Sequence, residues 1–264
     1  MLITSLGAEN QASAIKYLRK SPYRNALPLS NATQLRSRSD VLVAEVYDEV
    51  VGVISTYLDI PIPNLTFVAK DETVVQELLR AMLQQNAHLA EEPIYALLPI
   101  RRRNQLARFA NIVEEPIEYQ MVVEPETLRE REGPPVQRLT IEHIPQIEAL
   151  VEVAGLTVWD TSALDLGPAF GCFVEDRLVA MAATHFATTD VAEIGHIATH
   201  PDYRRRGYAS ACTIALTKAA FKLTPRVFLM VLEENEAALA AYKRLGFYPI
   251  ERFYMTRSVL RNDL

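Results

Sequence analysis

The sequence predicts an α/β (α+β) protein made of two similar domains, each a mixed, largely antiparallel sheet flanked by helices. Three observations predict this fold class. The 264 residues are 49% hydrophobic and 23% charged, which is a globular composition with room for two domains. Runs rich in β-branched residues alternate with segments of helical periodicity. The order hairpin, strand, helix, strand, helix, strand occurs twice along the chain, which indicates an internal repeat.

Each copy begins with an amphipathic helix and a hairpin. The opening helices are predicted within residues 9–20 and 144–154. The first hairpin, residues 41–55, turns at Asp48-Glu49, and the second, residues 172–184, turns at Asp176-Arg177. Both turns separate runs that are typical of β-strands. The hairpins therefore place two antiparallel strands at the same point of each copy.

The rest of each copy follows one order. A single strand, at residues 64–70 or 193–199, leads to a helix at residues 72–85 or 208–222, where apolar residues recur at three- and four-residue spacing. A second strand, a short helix and a closing strand complete each copy. In the first copy they are residues 93–100, 104–110 and 114–121, and in the second residues 226–232, 236–245 and 247–255.

The boundary between the copies is predicted from proline and glycine. Pro125, Gly133, Pro134 and Pro135 lie in a polar stretch that is typical of a linker. We predict a first domain at residues 1–128, a linker at 129–137 and a second domain at 138–264. Seven of the nine glycines lie after residue 132, which favours the second domain as the one whose backbone approaches a ligand.

Composition excludes several classes of function. Lys and Arg total 27 against 33 Asp and Glu, so a net charge of −6 disfavours nucleic acid as a partner. No apolar run approaches the ~18 residues of a membrane helix, and the first residues lack a signal-peptide pattern, so we expect a cytoplasmic protein without membrane contact. Cys172 and Cys212 are interpreted as core thiols. The histidines lack metal-ligand spacing, so no metal is expected.

The main difference between the copies is the connection from strand to helix. The second copy inserts residues 200–207 before its helix, and this insertion ends in Arg204, Arg205, Arg206 and Gly207. Free N–H groups and the positive end of the helix dipole attract anions, and arginines add charge-assisted donors. The pattern predicts a pyrophosphate site that Tyr208, Ala209 and Ser210 complete. An exposed basic loop capping the helix is the alternative interpretation.

Two motifs resemble a known family. The stretch Arg204-Arg205-Arg206-Gly207-Tyr208-Ala209 resembles the Arg/Gln-x-x-Gly-x-Gly/Ala signature of the GNAT superfamily of acyl-CoA-dependent N-acyltransferases. Residues 235–247, an Asn followed by a Tyr and Leu-Gly-Phe, resemble its second signature. The resemblance implies tandem GNAT-like domains with a degenerate first copy. It also implies acetyl-CoA as co-substrate, held by the arginine loop, by the backbone of Ile197, Ala198 and Thr199, and by Asn235.

The resemblance also implies catalytic residues. Glu193, at the start of its strand, would be the general base, and Tyr242 the acid that protonates the leaving thiolate. His196, Glu233 and Glu234 compete with Glu193 as the base, and catalysis through water stays open. The lone tryptophan, Trp159, is a candidate wall of the acceptor site, with core packing as the alternative.

The first copy has other residues at the matching positions. Alignment of the halves pairs Asn64 with Glu193 and Phe109 with Tyr242, so we expect the first copy not to catalyse transfer. Arg101, Arg102 and Arg103 at its last helix are interpreted as a solvated face. Two roles stay open for this domain, shaping the acceptor cleft or supporting a homodimer.

Together these observations predict a cytoplasmic N-acetyltransferase. It would transfer an acetyl or acyl group from CoA to a small-molecule amine or a lysine-bearing acceptor by direct attack in a ternary complex. The alternatives are a noncatalytic acyl-CoA-binding or sensing protein, and an interaction protein that keeps a relic of the fold. The sequence does not indicate which amine is the acceptor.

Overall fold

The computed structural model describes residues 1–156 and 159–261. The chain divides into two compact units. Unit 1 comprises Met1–Tyr119 and Glu251–Leu264, and unit 2 comprises Gln120–Ile250. Both are mixed α/β units with largely antiparallel sheets, as the sequence predicts.

Unit 1 contains seven strands that lie wholly or mainly in it and four α-helices among its described residues. The strands are β1 (Leu2–Ser5), β2 (Ser39–Val46), β3 (Glu49–Tyr57), β4 (Asn64–Ala69), β5 (Ile94–Pro99), β6 (Ala110–Glu114) and the last strand of the chain, β13 (Tyr248–Leu260). The helices are α1 (Gln11–Leu18), α2 (Ala26–Asn31), α3 (Glu72–Gln85) and α4 (Arg103–Ala107).

The sheet of unit 1 has the strand order β1-β2-β3-β4-β5-β13, with β6 also pairing with β13. Only β4 and β5 are parallel among these pairs, and their ladder consists of Asn64↔Tyr95 and Leu65↔Ala96. Helix α3 begins where the Asp71 side chain accepts a hydrogen bond from the Val74 N–H (3.0 Å). Its buried face packs on the sheet with residues that include Leu78, Leu79 and Met82.

Unit 2 continues the chain with strands β7 (Ile117–Val123), β8 (Gln137–Arg138), β9 (Ala169–Val174), β10 (Arg177–Ala187), β11 (Ala192–Thr199) and β12 (Val227–Leu232). Its helices are α5 (Ile144–Ala154), α6 (Ala163–Leu166), α7 (Tyr208–Ala220) and α8 (Glu236–Arg244). The strand order is β7-β12-β11-β10-β9-β8. β11 and β12 are parallel, and their ladder consists of Ala192↔Val227 and Glu193↔Phe228.

The two predicted hairpins form with left-handed residues in their turns. In the first, Tyr47 and Asp48 have φ of 51° and 62°, and in the second, Glu175 and Asp176 have φ of 49° and 60°. Two successive residues at positive φ are the geometry of a two-residue turn that matches the strand twist. Each turn lies one residue before the position that the sequence predicts.

The compact units do not follow the predicted boundaries of 1–128, 129–137 and 138–264. The final strand of the first copy contributes Gln120–Val123 to unit 2, and the final strand of the second copy contributes Glu251–Leu260 to unit 1. The predicted boundaries follow the order of the repeat, whereas the compact units follow strand pairing. As limits of the two repeats they stay a prediction, and residues 262–264 lie outside the described part.

The fourth helix of unit 1 also differs from its prediction. Residues 104–110 were expected to be helical, but α4 ends at Ala107 and β6 begins at Ala110. β6 pairs with β13 through contacts such as Leu260↔Ala110, so a strand that is distant in sequence overrides the local periodicity. None of the helices in the described residues is long and apolar enough to span a membrane.

Candidate active site

The loop between β11 and α7 has the backbone that an anion site requires. Arg205 and Gly207 are left-handed, with φ of 62° and 86°, and Gly207 is the N-cap of α7. The Arg204 Nε donates to the Thr199 carbonyl (3.4 Å), which fastens the loop to the end of β11. A Cβ built on Gly207 meets no atom within 4 Å, so open space faces this end of the helix. The first N–H groups of a helix lack intrahelical acceptors and point into such a space.

This space is one end of a groove of about 930 Å³ in unit 2. The groove runs from the N-terminus of α7 along the end of β11 to α8. Beyond Glu193↔Phe228 the ladder between β11 and β12 stops, although both strands continue, and this divergence exposes the edge of β11 at Ile197, Ala198 and Thr199. The charged residues that line the groove are mostly cationic: Arg131, Glu132, Arg204, Arg205 and Arg244.

Helix α8 forms the opposite wall. It begins at Asn235, whose Oδ1 accepts a hydrogen bond from the Ala238 N–H (3.1 Å). Tyr242 faces the groove from the last turns of α8, with its ring 6.0 Å from that of Phe247. Burial raises the pKa of Tyr242 to about 12. Its hydroxyl therefore keeps its proton at neutral pH and can donate it.

Glu193 is buried and pairs with a histidine. Its side chain is 11% exposed, and its Oε1 lies 2.9 Å from the Nδ1 of His185 on β10. The His185 side chain is 37% exposed, and its Nε2 lies over Gly195, where a Cβ would come within 2.4 Å of it. The structure thus joins a buried carboxylate to a more exposed imidazole.

Two irregularities in neighbouring strands produce this arrangement. The register between β10 and β11 shifts between Thr184 and Phe186, and again between Met181 and Ala183. The first shift makes His185 the extra residue on β10. The second puts His196 and Ile197 opposite one residue of β10, with His196 at φ 44°. Bulges of this kind re-aim side chains and recur beside active sites.

Aromatic rings extend from this pair. The His185 and His196 ring centroids are 4.1 Å apart, and those of His196 and Trp159 are 5.1 Å apart. The Nε1 of Trp159 is buried and has no hydrogen-bond partner among the described residues. His196, a competing candidate for the base, and Trp159, the candidate acceptor wall, therefore lie in one contiguous cluster with His185 and Glu193.

The motif-bearing segment also matches a family model. Residues 140–247 fit the model described as "Acetyltransferase (GNAT) family". This segment of unit 2 is similar to the GNAT acetyltransferase family. A curated relative, "Acetyltransferase" of Yersinia pestis (strain Pestoides F), is 36% identical over 53 residues, which are 20% of this chain and 38% of the relative. The match thus spans about two fifths of that relative's length.

Solved structures extend the likeness in fold to nearly the whole chain. A tandem GNAT protein from the clavulanic acid biosynthesis pathway has a TM-score of 0.65 at 12% identity and covers 98% of both chains. A GCN5-related N-acetyltransferase from Sphaerobacter thermophilus has a TM-score of 0.65 at 14% identity, covering 100% of this chain and 97% of its own. The chain therefore has a tandem GNAT fold.

The groove of unit 2 collects most of the residues that the sequence assigns to the co-substrate. These are Ile197, Ala198, Thr199, Arg204, Arg205, Gly207, Tyr208, Ala209, Ser210 and Asn235. Arg206 is outside the set, because its guanidinium stacks over the Tyr203 ring at 5.4 Å. Glu193 and Trp159 lie in the aromatic cluster rather than in the groove lining.

Sequence reasoning missed three contributions to the candidate site of unit 2. Arg131 and Gly133, which the sequence places in a linker, line the groove. Arg244 closes α8 beside Tyr242, and its place in the second signature could have revealed it. His185 was set aside for want of metal-ligand spacing, and only strand pairing brings it to Glu193. The described residues contain no cluster of three or more His, Cys, Asp or Glu placed to hold a metal ion.

Unit 1 is built differently at the matching position, where its parallel strands β4 and β5 diverge. Its strand pairs Thr56↔Leu65 and Tyr57↔Asn64 match Phe186↔Glu193 and Ala187↔Ala192 of unit 2. Buried Leu65 rather than Asn64 therefore takes the place of Glu193. The ladder between β3 and β4 has no register shift. Unit 1 therefore lacks both the carboxylate and the bulge.

An arginine binds β4 of unit 1 at the position where β4 and β5 diverge. The Arg102 Nη1 donates to the Phe67 carbonyl of β4 (3.4 Å), and burial lowers the pKa of Arg102. Arg103 pairs with Glu115, and Arg101 lies 3.5 Å from Glu251. The expectation of a solvated face is therefore wrong for Arg102, because β4 diverges from β5 and leaves a carbonyl that it can bind.

Proposed function

We propose that the protein is an N-acetyltransferase that moves an acetyl group from acetyl-CoA to an amine by direct attack in a ternary complex. The observation that carries this proposal is the cationic groove, which starts at the left-handed Gly207 and passes the exposed edge of β11. The family match of residues 140–247 supports an acetyltransferase. The co-substrate, the amine acceptor and the residue roles are our assignment.

The groove fits acetyl-CoA in size and charge. Its volume of about 930 Å³ is at the upper end of ligand sites, as a long nucleotide thioester requires. The N-terminus of α7 offers N–H groups and a dipole to a pyrophosphate, and Arg204 and Arg205 add cationic donors beside it. Gly207 leaves room for the phosphate, because a Cβ there would point into the open space.

The residues along the groove would then divide the work. Acetyl-CoA supplies an activated thioester. Backbone groups of Ile197 to Thr199, which line the groove beyond the ladder between β11 and β12, would orient the pantetheine arm and polarise the acyl carbonyl. The Tyr242 hydroxyl, protonated at neutral pH, would donate to the leaving sulfur. Taking a proton from the amine falls to Glu193 or to a group that Glu193 contacts.

An uncharged amine is the costly requirement. An alkyl ammonium has a pKa near 10.4, so forming the neutral amine at pH 7 costs about 4 to 5 kcal/mol without a base. Aromatic rings of Trp159 and His196 would favour a cationic acceptor, small molecule or lysine side chain, through cation–π attraction. Two buried free cysteines suit the reducing cytoplasm, where we place the protein.

The test is isothermal titration of the full chain with acetyl-CoA. The wild type is compared with Gly207→Trp, which fills the open end of the groove, and with Gly7→Trp, which adds the same bulk to an open position of unit 1. Thermal unfolding followed by circular dichroism shows whether each variant is folded. Thiol release is then measured with a panel of primary amines.

Loss of binding in Gly207→Trp alone, with thiol release by the wild type, supports the proposal. Equal binding by a folded Gly207→Trp variant contradicts the assigned groove. Binding without thiol release for any amine would favour the acyl-CoA-binding or sensing protein. Absence of binding by the wild type would favour an interaction protein.

A further inference from the structure

We propose that His185 is the catalytic base and that Glu193 is the residue that positions it. This proposal rests on the proposed acetyl transfer. The sequence offers Glu193 as the proton acceptor. In the structure, His185 contacts that carboxylate and is the more exposed of the two side chains. A buried carboxylate that contacts a more exposed imidazole is the arrangement of a base oriented by an acid.

Exposure separates the two roles. The Glu193 side chain is 11% exposed and spends its Oε1 on His185, whereas the His185 side chain is 37% exposed. A general base must come within hydrogen-bond reach of the proton that it takes. An acceptor amine can approach the His185 imidazole directly. To reach the Glu193 Oε1, the amine would have to displace His185.

The hydrogen bond also selects the useful nitrogen. A carboxylate only accepts, so the Nδ1 of His185, 2.9 Å from Glu193 Oε1, carries the proton in the neutral ring. The lone pair is then on Nε2. That atom lies over Gly195, two residues before Ile197, where the proposed site polarises the acyl carbonyl. The basic nitrogen is therefore placed two residues along β11 from the proposed place of reaction.

The protons and bonds balance around this base. His185 Nε2 takes one proton from the ammonium form of the acceptor, which leaves a neutral amine. The amine nitrogen bonds to the acyl carbon as the C–S bond breaks. A second proton of the nitrogen ends on the sulfur, through Tyr242, and the amide keeps the third when the acceptor is a primary amine. The imidazolium of His185, stabilised by Glu193, returns its proton to water.

The groups around His185 leave it one strong partner. From β11 it contacts Glu193 by a hydrogen bond and His196 ring to ring. The other elements packed on β10 are β9, α5, α6 and α7. Their titratable residues are either exposed or half-buried, or are the buried thiols: Glu148, Glu152, Asp165, Tyr208, Lys218, Cys172 and Cys212.

Activity is measured for wild type, His185→Gln, Glu193→Gln and the double variant, with His88→Gln as control because His88 is an exposed histidine of unit 1. We expect His185→Gln to lower kcat by about 100-fold or more, as loss of a general base does, with little change in acetyl-CoA affinity. We expect Glu193→Gln to lower kcat about tenfold or more. The double variant should match His185→Gln, because Glu193 acts only through His185.

A second readout needs no substrate. With 15N-labelled histidine, NMR assigns the His185 signals by their loss in His185→Gln. We expect the neutral ring of wild-type His185 to carry its proton on Nδ1 and to lose this preference in Glu193→Gln. The pH profile of kcat should show an acidic limb at the NMR titration midpoint of His185, and His185→Gln should abolish the limb.

The outcomes separate this proposal from the proposed function. Wild-type transfer that His185→Gln retains would overturn His185 as the base and leave the acetyltransferase standing. A further full loss on adding Glu193→Gln to His185→Gln, or an Nε2-protonated His185 in the wild type, would assign the base to Glu193 instead. A wild type that transfers to no amine would overturn both proposals.

Discussion

A methyl group at Gly195 tests the imidazole without changing either member of the pair. An ideal Cβ on this glycine would lie 2.4 Å from His185 Nε2 and 2.5 Å from Cε1. Ordinary contacts begin near 3.4 Å, so Gly195→Ala moves the ring by about 1 Å. Gly195 is outside the left-handed region, and alanine therefore adds no φ strain to the strand.

The displacement predicts a measurable loss. The bond from His185 to Glu193 is 2.9 Å long, and a retreat of about 1 Å breaks it. A hydrogen bond to a charged group is worth about 1.5–3 kcal/mol. If that energy is lost from the transition state, kcat falls by about 10- to 150-fold. The fold should persist, because the ring is partly exposed and can move outward.

Steady-state thiol release gives kcat for Gly195→Ala, and histidine NMR reports the Nδ1 proton of His185 in the same sample. Gly7→Ala is the control, since its Cβ meets only a backbone oxygen at 3.9 Å. Loss of activity together with the Nδ1 preference supports the reasoning. A folded Gly195→Ala variant that keeps wild-type kcat and the wild-type His185 spectrum would refute it.

Other predictions concern stability and thiol access. Burial raises the pKa of Tyr242 to about 12, so the protonated hydroxyl stabilises the fold fully below pH 10, and this stabilisation is lost as the pH rises towards 12. Between pH 9 and pH 11, the free energy of unfolding in urea should fall by about 1.4 kcal/mol more for wild type than for Tyr242→Phe. An equal fall in the two proteins would contradict this. Gly246→Ala combines φ of 96° with a Cβ 1.8 Å from a backbone carbonyl oxygen, so it should lower the free energy of unfolding in urea by more than about 2 kcal/mol. The decrease should exceed that of Gly155→Ala, where φ is 73° but the space is open. Cys172 and Cys212 are buried with their Sγ atoms 3.5 Å apart, and this contact, with burial, raises the pKa of Cys212; we expect an aromatic disulfide reagent to label neither thiol before unfolding, and prompt labelling of native protein would be the opposite result.

Local patterns predict much of this fold. Helix α3 has the predicted bounds because its apolar spacing and the cap at Asp71 are both local signals. The loop before α7 is predictable as one segment for the same reason, since Arg204, Arg205 and Gly207 are neighbours in sequence, and anion binding by it stays a prediction. Where a strand or a helix terminus carries its own signal, the sequence is sufficient.

Long-range pairing explains what the sequence could not predict. The contact of His185 with Glu193 depends on a one-residue register shift between β10 and β11, and hydrophobic patterning does not encode such a shift. The end of α4 depends on β6 pairing with β13, about 150 residues later in the chain. The sequences of the two closing strands, residues 114–121 and 247–255, do not indicate which sheet each strand joins.

Unit 1 consists of two separate segments of the chain, and this has a consequence for synthesis of the protein. Strand β5 obtains its partner β13 only after residues 120–250 have been made. At 5–20 residues per second, translation of those residues takes roughly 7 to 26 s. During that interval unit 1 has an unpaired strand edge, which is a template for association with other chains. Unit 2 is one continuous segment, so the half that is made second is the first to be complete.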